Sequence, residues 1–336
     1  MSINMKIAIS AVILIVVALL FATLLSNTNL SSPENTDLTH DKKWGIYSLD
    51  LQTQQTNLIY SSDDTISRIR LNNARTTLVF SQKISSGKNC TTEGSPVNTC
   101  EEICSIQVDG KDFKRITNND QWDLLPCWSD DDSSIFFLSF RETLDIYRMD
   151  ADGGNVIEVY DSGFQDSDLH SSAGKLVFTR NSQIWTMNED GIGLAQVTDP
   201  PRAGEWGDAV LPFGDYDPCL NSDGTRILFE RMVDDETSHG IYEIYEINID
   251  GSSEVALTET RYTQGIACWS HSDQTIVYMV SAIGNEGKYD LYMMNSDGSE
   301  NKNITPDYFA ADFLCHDPIF SADDSKIFFV GEWYSD

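Results

Sequence analysis

Residues 268–305 read CWSHSDQTIVYMVSAIGNEGKYDLYMMNSDGSENKNIT. The run Ile276 to Val280 is β-branched and aromatic, the composition of a buried strand. A second strand carries Leu291, Tyr292 and Met293 and ends in Asn295-Ser296-Asp297-Gly298, a strong hairpin signal because glycine takes positive φ without a Cβ penalty. A short strand ending in Thr305 follows. One antiparallel unit of this kind cannot bury both of its faces, so it requires siblings.

The siblings are present. The apolar strand ending in an aromatic recurs as Leu78-Val79-Phe80, Ile135-Phe136-Phe137, Leu176-Val177-Phe178, Ile227-Leu228-Phe229 and Ile327-Phe328-Phe329. Phe80 and Phe329 are 249 residues and five intervals apart, a period near 50. The Asp-Gly turn recurs at Gly110, Gly153, Gly191, Gly251 and Gly298, and Thr117, Thr198, Thr258 and Thr305 close the strand after four of them. Four strands per repeat at this spacing predict an all-β fold, a β-propeller of four-stranded antiparallel blades. Six strand copies against five turns predict six blades. Residues 44–60 have the form of a third and fourth strand, and the last repeat has only its first two, so the two chain ends join in one blade and leave no open edge.

The pattern Pro-x-x-Ser-x-Asp-Gly, apolar strand, Ile-Tyr-x-Met-Asn-x-Asp-Gly, Leu-Thr is carried by residues 126–129, 218–224, 146–153, 185–191 and 291–298. It resembles the WD40-like repeat of TolB-type propellers, a blade type shared with prolyl-oligopeptidase-type peptidases. The resemblance covers about residues 44–336. It implies the fold, while propellers host unrelated activities. TolB proteins carry an additional N-terminal domain and the peptidases a separate catalytic domain; this sequence shows neither pattern.

Composition narrows the function classes. The chain has 53 acidic and 22 basic residues, a net charge of −31. Nucleic acid is excluded as a partner, since phosphate neutralisation requires lysine and arginine. Residues 7–25 form 19 uncharged, mostly apolar positions, with Lys6 before them and no further Lys or Arg until Lys42. That length suits a bilayer, and the charge asymmetry puts the C-terminal remainder of the chain outside the cytoplasm. The expected organisation is therefore a membrane anchor over 1–26, a polar stalk over 27–43 and the propeller over 44–336, on the extracytoplasmic side of a cell membrane. Secretion after signal cleavage is the alternative.

Cys90, Cys100 and Cys104 fall within one insertion. Their spacing fits no zinc pattern, and outside the cytoplasm a loop disulfide is expected, Cys90–Cys100 first and Cys104 as the alternative partner. Cys127, Cys219 and Cys268 share one repeat position and read as small packing residues.

Two regions are candidate sites. The long segments all emerge on one face of the disc, where recognition usually lives. Among them the link 199–214 carries Arg202, Glu205, Trp206, Asp208 and Phe213. On the same face the inner strands begin near the channel mouth. Repeat alignment gathers Asp123, Asp215 and Gln264 with Asp168, Asp217 and Asp317, beside Arg68, Arg70, His170 and His316. Two readings stand for this set: carboxylates bonding backbone between blades, or a polar site that takes a ligand or a divalent cation such as Ca²⁺, with His170 and His316 meeting at the mouth. No Gly-x-Ser-x-Gly, His-Glu-x-x-His or phosphate-cradling glycine loop occurs. The expected role is a scaffold binding a protein, a peptide or a surface polymer. The competing class is a cation-dependent, lyase-like enzyme acting on polysaccharide, and no cofactor is required by the first.

Overall fold

The computed structural model describes residues 41–84, 90–92, 95–97, 100–161, 163–281 and 288–334. The expected anchor and nearly all of the stalk lie outside the described residues. The described chain is all β.

Each repeat folds as four antiparallel strands in sequence order. The first unit is Ile66–Leu71, Thr77–Ile84, Cys100–Gln107 and Lys114–Arg115; the second and third begin at Trp122–Trp128 and Asp166–Ser172. The units that begin at Asp215–Leu220 and Thr263–Trp269 are fused into one longer sheet by a single parallel bridge, Tyr242↔Thr263. The last sheet joins the chain ends. Lys42–Asp50 pairs antiparallel with Lys326–Tyr334, from Lys42↔Tyr334 to Asp50↔Lys326, and Thr56–Ser62 forms its outer edge. The first strand of each unit touches the first strand of the next, and Leu314–Phe320 touches Ile66–Leu71, so the cycle closes. The apolar triplets of the second strands are buried on both faces; Leu78, Val79 and Phe80 are fully covered. Neighbouring sheets sandwich each one, which is why these strands read as continuous apolar runs rather than alternating ones.

The repeated polar residues do repeated jobs. Thr117, Thr198 and Thr258 accept, through Oγ1, the third-strand N–H of Ile103, Ile184 and Ile244 at 2.9, 3.0 and 2.9 Å. On the opposite rim, Asp132 accepts from the N–H groups of Asn73 and Ala74 in the preceding unit. Asp273 and Asp324 bond the preceding units at Ser222 and at His271 and Ser272. These carboxylates staple neighbouring units through backbone donors that would otherwise go unpaired.

The Asp-Gly turns also lock the ring. Gly298 has φ +83°, and a Cβ there would stand 2.6 Å from the Leu257 carbonyl oxygen of the preceding unit. Gly298→Ala is therefore expected to cost at least about 1–2 kcal/mol, the penalty for the left-handed backbone, before the clash is counted. Urea unfolding measures it; a loss below half of that would show that the neighbouring unit gives way freely.

Candidate functional site

Each inner strand breaks its ladder at one residue. Arg68, Leu125, Asp168, Asp217, Ile266 and Asp317 occupy the same register position, all with φ between 50° and 56°, and the pairing with the second strand shifts around each of them. These are β-bulges, which re-aim side chains and leave an N–H unpaired. The freed N–H groups find partners in the preceding unit of the ring. Arg68 donates to Asp317 Oδ2 at 3.0 Å, Leu125 to Ser81 Oγ at 2.9 Å and Ile266 to Glu230 Oε2 at 3.1 Å.

The bulges aim Arg68 into the channel against carboxylates from three other units. Its Nη2 lies 3.2 Å from Asp168 Oδ1 and also pairs with Asp217, while its Nε is 3.8 Å from Asp317 Oδ1. Burial opposes the Arg68 charge, but attraction to Asp217, Asp317 and Asp168 outweighs it and raises its pKa. Glu230 joins from a second strand. Burial, reinforced by Asp217 and Asp168, pushes its carboxyl well above the usual range. Burial likewise raises Asp217, to about 7, with Arg68 pulling against it and Asp168 adding to it. Gly265 is what admits Glu230: a Cβ there would sit 1.9 Å from Glu230 Oε2.

Around this cluster lies a cavity of about 110 Å³, walled by Trp44, Leu211, Tyr216, Met279 and Tyr289 and bordered by His316 and Glu332. Glu332 is held below its ordinary range despite burial, because His316, with Nε2 3.7 Å away, and Lys42 attract its charge. One guanidinium thus faces several carboxyl groups, so the cavity retains an anionic excess.

The sequence-derived candidates separate here. Arg68, Asp168, Asp217, Gln264, His316 and Asp317 line the cavity. Gln264 spends its amide donors on Glu243 and Thr260. Asp123 and Asp215 turn into their own sheets: Asp123 accepts from Ser139 and Asn119, and Asp215 from both Nε and Nη2 of Arg231. Arg70 and His170 line a separate small hollow with Cys127 and Ser129. His170 and His316 therefore do not meet at the mouth, because His170 lies two residues beyond the bulge and His316 one residue before it. Glu230 was missed, although a glutamate set directly after the apolar triplet Ile227-Leu228-Phe229 of a second strand was its signal.

In the 199–214 link, Leu211 reaches the cavity wall. Trp206 is exposed, Asp208 donates its N–H to Asp235, and Arg202 forks onto Glu205 at 3.0 Å through two bonds. Phe213 points inward. It is buried with Ala209, Leu211, Tyr216, Met232 and Tyr242, under the Arg202 guanidinium at 3.4 Å, and so anchors the link. Among the cysteines, Cys104 is a free buried thiol, which removes it as a disulfide partner. Cys100 is disulfide-bonded; the side chain of Cys90, its expected partner, lies outside the described residues.

No protein-family model matches the chain, and no curated protein does. Solved structures do. The putative TolB of Agrobacterium tumefaciens superposes with a TM-score of 0.62 at 13% identity, over 88% of this chain and 99% of that one. TolB from Acinetobacter baumannii gives 0.56 at 16% identity, over 80% of this chain and 64% of that one. The fold is a TolB-like β-propeller. An oligogalacturonate lyase solved in complex with manganese shares the fold, with a TM-score of 0.54 at 12% identity over 87% of this chain and 83% of that one. At these identities the likeness is one of fold.

The manganese of that neighbour makes the fit of a metal to this TolB-like propeller a question for its own residues. Among the described residues, no three His, Cys, Asp or Glu side chains are grouped so as to hold a metal ion. The carboxylates expected to take Ca²⁺ instead surround Arg68, whose guanidinium supplies the positive charge at their centre. The cavity as built does not fit a divalent cation.

Proposed function

We propose that this chain is a six-bladed propeller acting as a binding scaffold, which captures a protein or peptide partner across its long-loop face and seats a cationic group of that partner in the channel mouth. In this reading residues 7–25 tether the propeller to a membrane on the extracytoplasmic side. The observation that carries the reading is the lining of the cavity: the carboxyl groups of Asp168, Asp217 and Asp317 converge on Arg68 as the one guanidinium, with Glu230 behind them kept protonated by burial, beneath apolar and aromatic walls. An ammonium or guanidinium group is the complement of such a site, and a net charge of −31 steers cationic partners toward it. The exposed Trp206 indole, carried by the same link whose Leu211 walls the cavity, supplies the kind of aromatic anchor that protein interfaces favour.

The test is the binding of the full chain to matched arginine-rich and glutamate-rich peptides. At low salt the basic peptide is expected to bind at least about tenfold more tightly, with the preference falling as salt screens it. Trp206→Ala should weaken binding without altering the charge preference. Equal affinities for the two peptides would sink the reading. The lyase-like alternative draws support from the manganese-bound neighbour. It ranks second because an anionic oligosaccharide would meet uncompensated carboxylates in this cavity. Turnover of a polyuronate with manganese, lost in His316→Ala, would reverse that order.

A further inference from the structure

Two residues beyond each bulge, the inner strands bring a second set of side chains to one level: Arg70, Cys127, His170, Cys219, Cys268 and Ile319. Three of these converge. Cys219 Sγ lies 3.8 Å from Cys268 Sγ in the next unit and 3.6 Å from His170 Nε2 in the preceding one. The Leu220 N–H donates to His170 Nδ1 at 3.2 Å, so Nδ1 is the acceptor and a neutral imidazole carries its proton on Nε2, facing the Cys219 sulfur. Both cysteines are free thiols; Cys219 is buried and Cys268 partly so.

We propose that Cys219 and Cys268 are a two-thiol redox pair in which a small hydroperoxide oxidises Cys219 and Cys268 then closes a disulfide between the inner strands of adjacent units. The two sulfurs are inequivalent. Cys219 is held well below the ordinary thiol range by hydrogen bonding from Cys268 and by His170, against burial, while Cys268 is pushed well above it by Cys219 and by burial. A thiolate beside an imidazole donor is the reactive form of cysteine. Cys104, Cys127 and Cys315 are raised by burial, so they stay protonated and unreactive. A small hollow lined by Arg70, Cys127, Ser129 and His170 lies at this level on the His170 side of the pair, and hydrogen peroxide is scarcely larger than water.

The chemistry balances in two steps. The Cys219 thiolate attacks one peroxide oxygen, the O–O bond breaks, and hydroxide leaves and is protonated to water, giving a sulfenic acid. The Cys268 sulfur then attacks the Cys219 sulfur. The S–O bond breaks, and the departing hydroxide takes the Cys268 proton as a second water. Two thiols are oxidised and one peroxide is reduced.

The experiment uses the full chain, reduced, freed of reductant, with and without a chelator, and treated with one equivalent of hydrogen peroxide. Peptide mapping of the unmutated protein is expected to show a Cys219–Cys268 disulfide, with Cys104, Cys127 and Cys315 still thiols, and full recovery with dithiothreitol. Cys268→Ser should stop at a dimedone-trappable sulfenic acid on Cys219, and His170→Asn should slow the reaction about tenfold. Indiscriminate oxidation of Cys104, Cys127 and Cys315, or a sulfenic acid on Cys219 that persists in the unmutated chain, would overturn the proposal. Protection from peroxide that a chelator abolishes would overturn it too, in favour of a soft-metal site on the same three residues.

Discussion

Arg68→Leu is expected to cost about 3–5 kcal/mol of stability at pH 7.5, the usual consequence of removing one partner from a buried charge cluster. The side chains of Asp168, Asp217 and Asp317 are 10%, 12% and 6% exposed, so water cannot replace the lost guanidinium. What remains is several carboxyl groups in one poorly solvated cavity, with Glu230 behind them, and their mutual repulsion is then unopposed. Such groups respond by binding protons, so the loss must shrink in acid. At pH 5 the deficit of Arg68→Leu is expected to be less than half its value at pH 7.5. Urea unfolding of both proteins at the two pH values provides the check. A deficit independent of pH would mean that Arg68 contributes packing rather than charge. The double variant Arg68→Leu, Asp217→Asn should recover part of the loss, because it deletes the carboxylate that touches the guanidinium most closely.

That cluster also shows where reading the sequence stopped. The repeat, the strand order, the sharing of one sheet by both chain ends and the roles of the Asp-Gly turns were legible, because each depends on chemistry confined to one repeat. Gly298 needs a positive φ wherever its unit sits, and Thr258 closes on Ile244 within the same sheet. The site is different. Arg68 meets Asp168 and Asp317 at sequence separations of 100 and 249 residues, and no local pattern says which unit faces which across a ring. Aligning the inner strands gathered the right residue types but not their directions. The bulge reverses the alternation of side chains, so Asp215 turns into its own sheet while Asp217, two residues on, faces the channel. The cysteines behaved the same way. Their shared repeat position was evident, and it fits packing for buried Cys127. The contact of Cys219 with Cys268 and His170 arises only because three neighbouring inner strands converge at that level.

Stability is expected to peak at about pH 4 and to fall as pH rises, by at least about 5 °C in Tm between pH 5 and pH 8. Glu101 is buried, and desolvation, only partly offset by Lys83, lifts its carboxyl to about 7. Asp217 also reaches about 7, and Glu230 stands well above its ordinary range. In the unfolded chain these groups titrate at their ordinary values, 3.8 for Asp and 4.5 for Glu. Between those values and about 7 the folded protein therefore holds more protons than the unfolded one, and linkage makes stability decline with rising pH across that window. The contribution is complete below the unfolded values and is lost as pH passes the folded ones. The acid limit has the opposite sign. Asp131 and Asp323 are held at about 2 by hydrogen bonds from Ser133 and Ser325 in their own turns, so their contribution, present above 3.8, disappears as pH falls toward 2. The net charge of −31 acts in the same sense as the buried acids, since self-repulsion eases as carboxylates protonate. Glu101→Gln separates the two sources. It removes one buried proton site while barely changing the surface charge, so it should flatten the decline between pH 5 and 7 by one proton's worth. If the variant leaves the slope intact, the decline belongs to the surface; if stability instead rises from pH 5 to pH 8, the buried carboxyls are ionised throughout and the protonation assigned to the cavity is wrong.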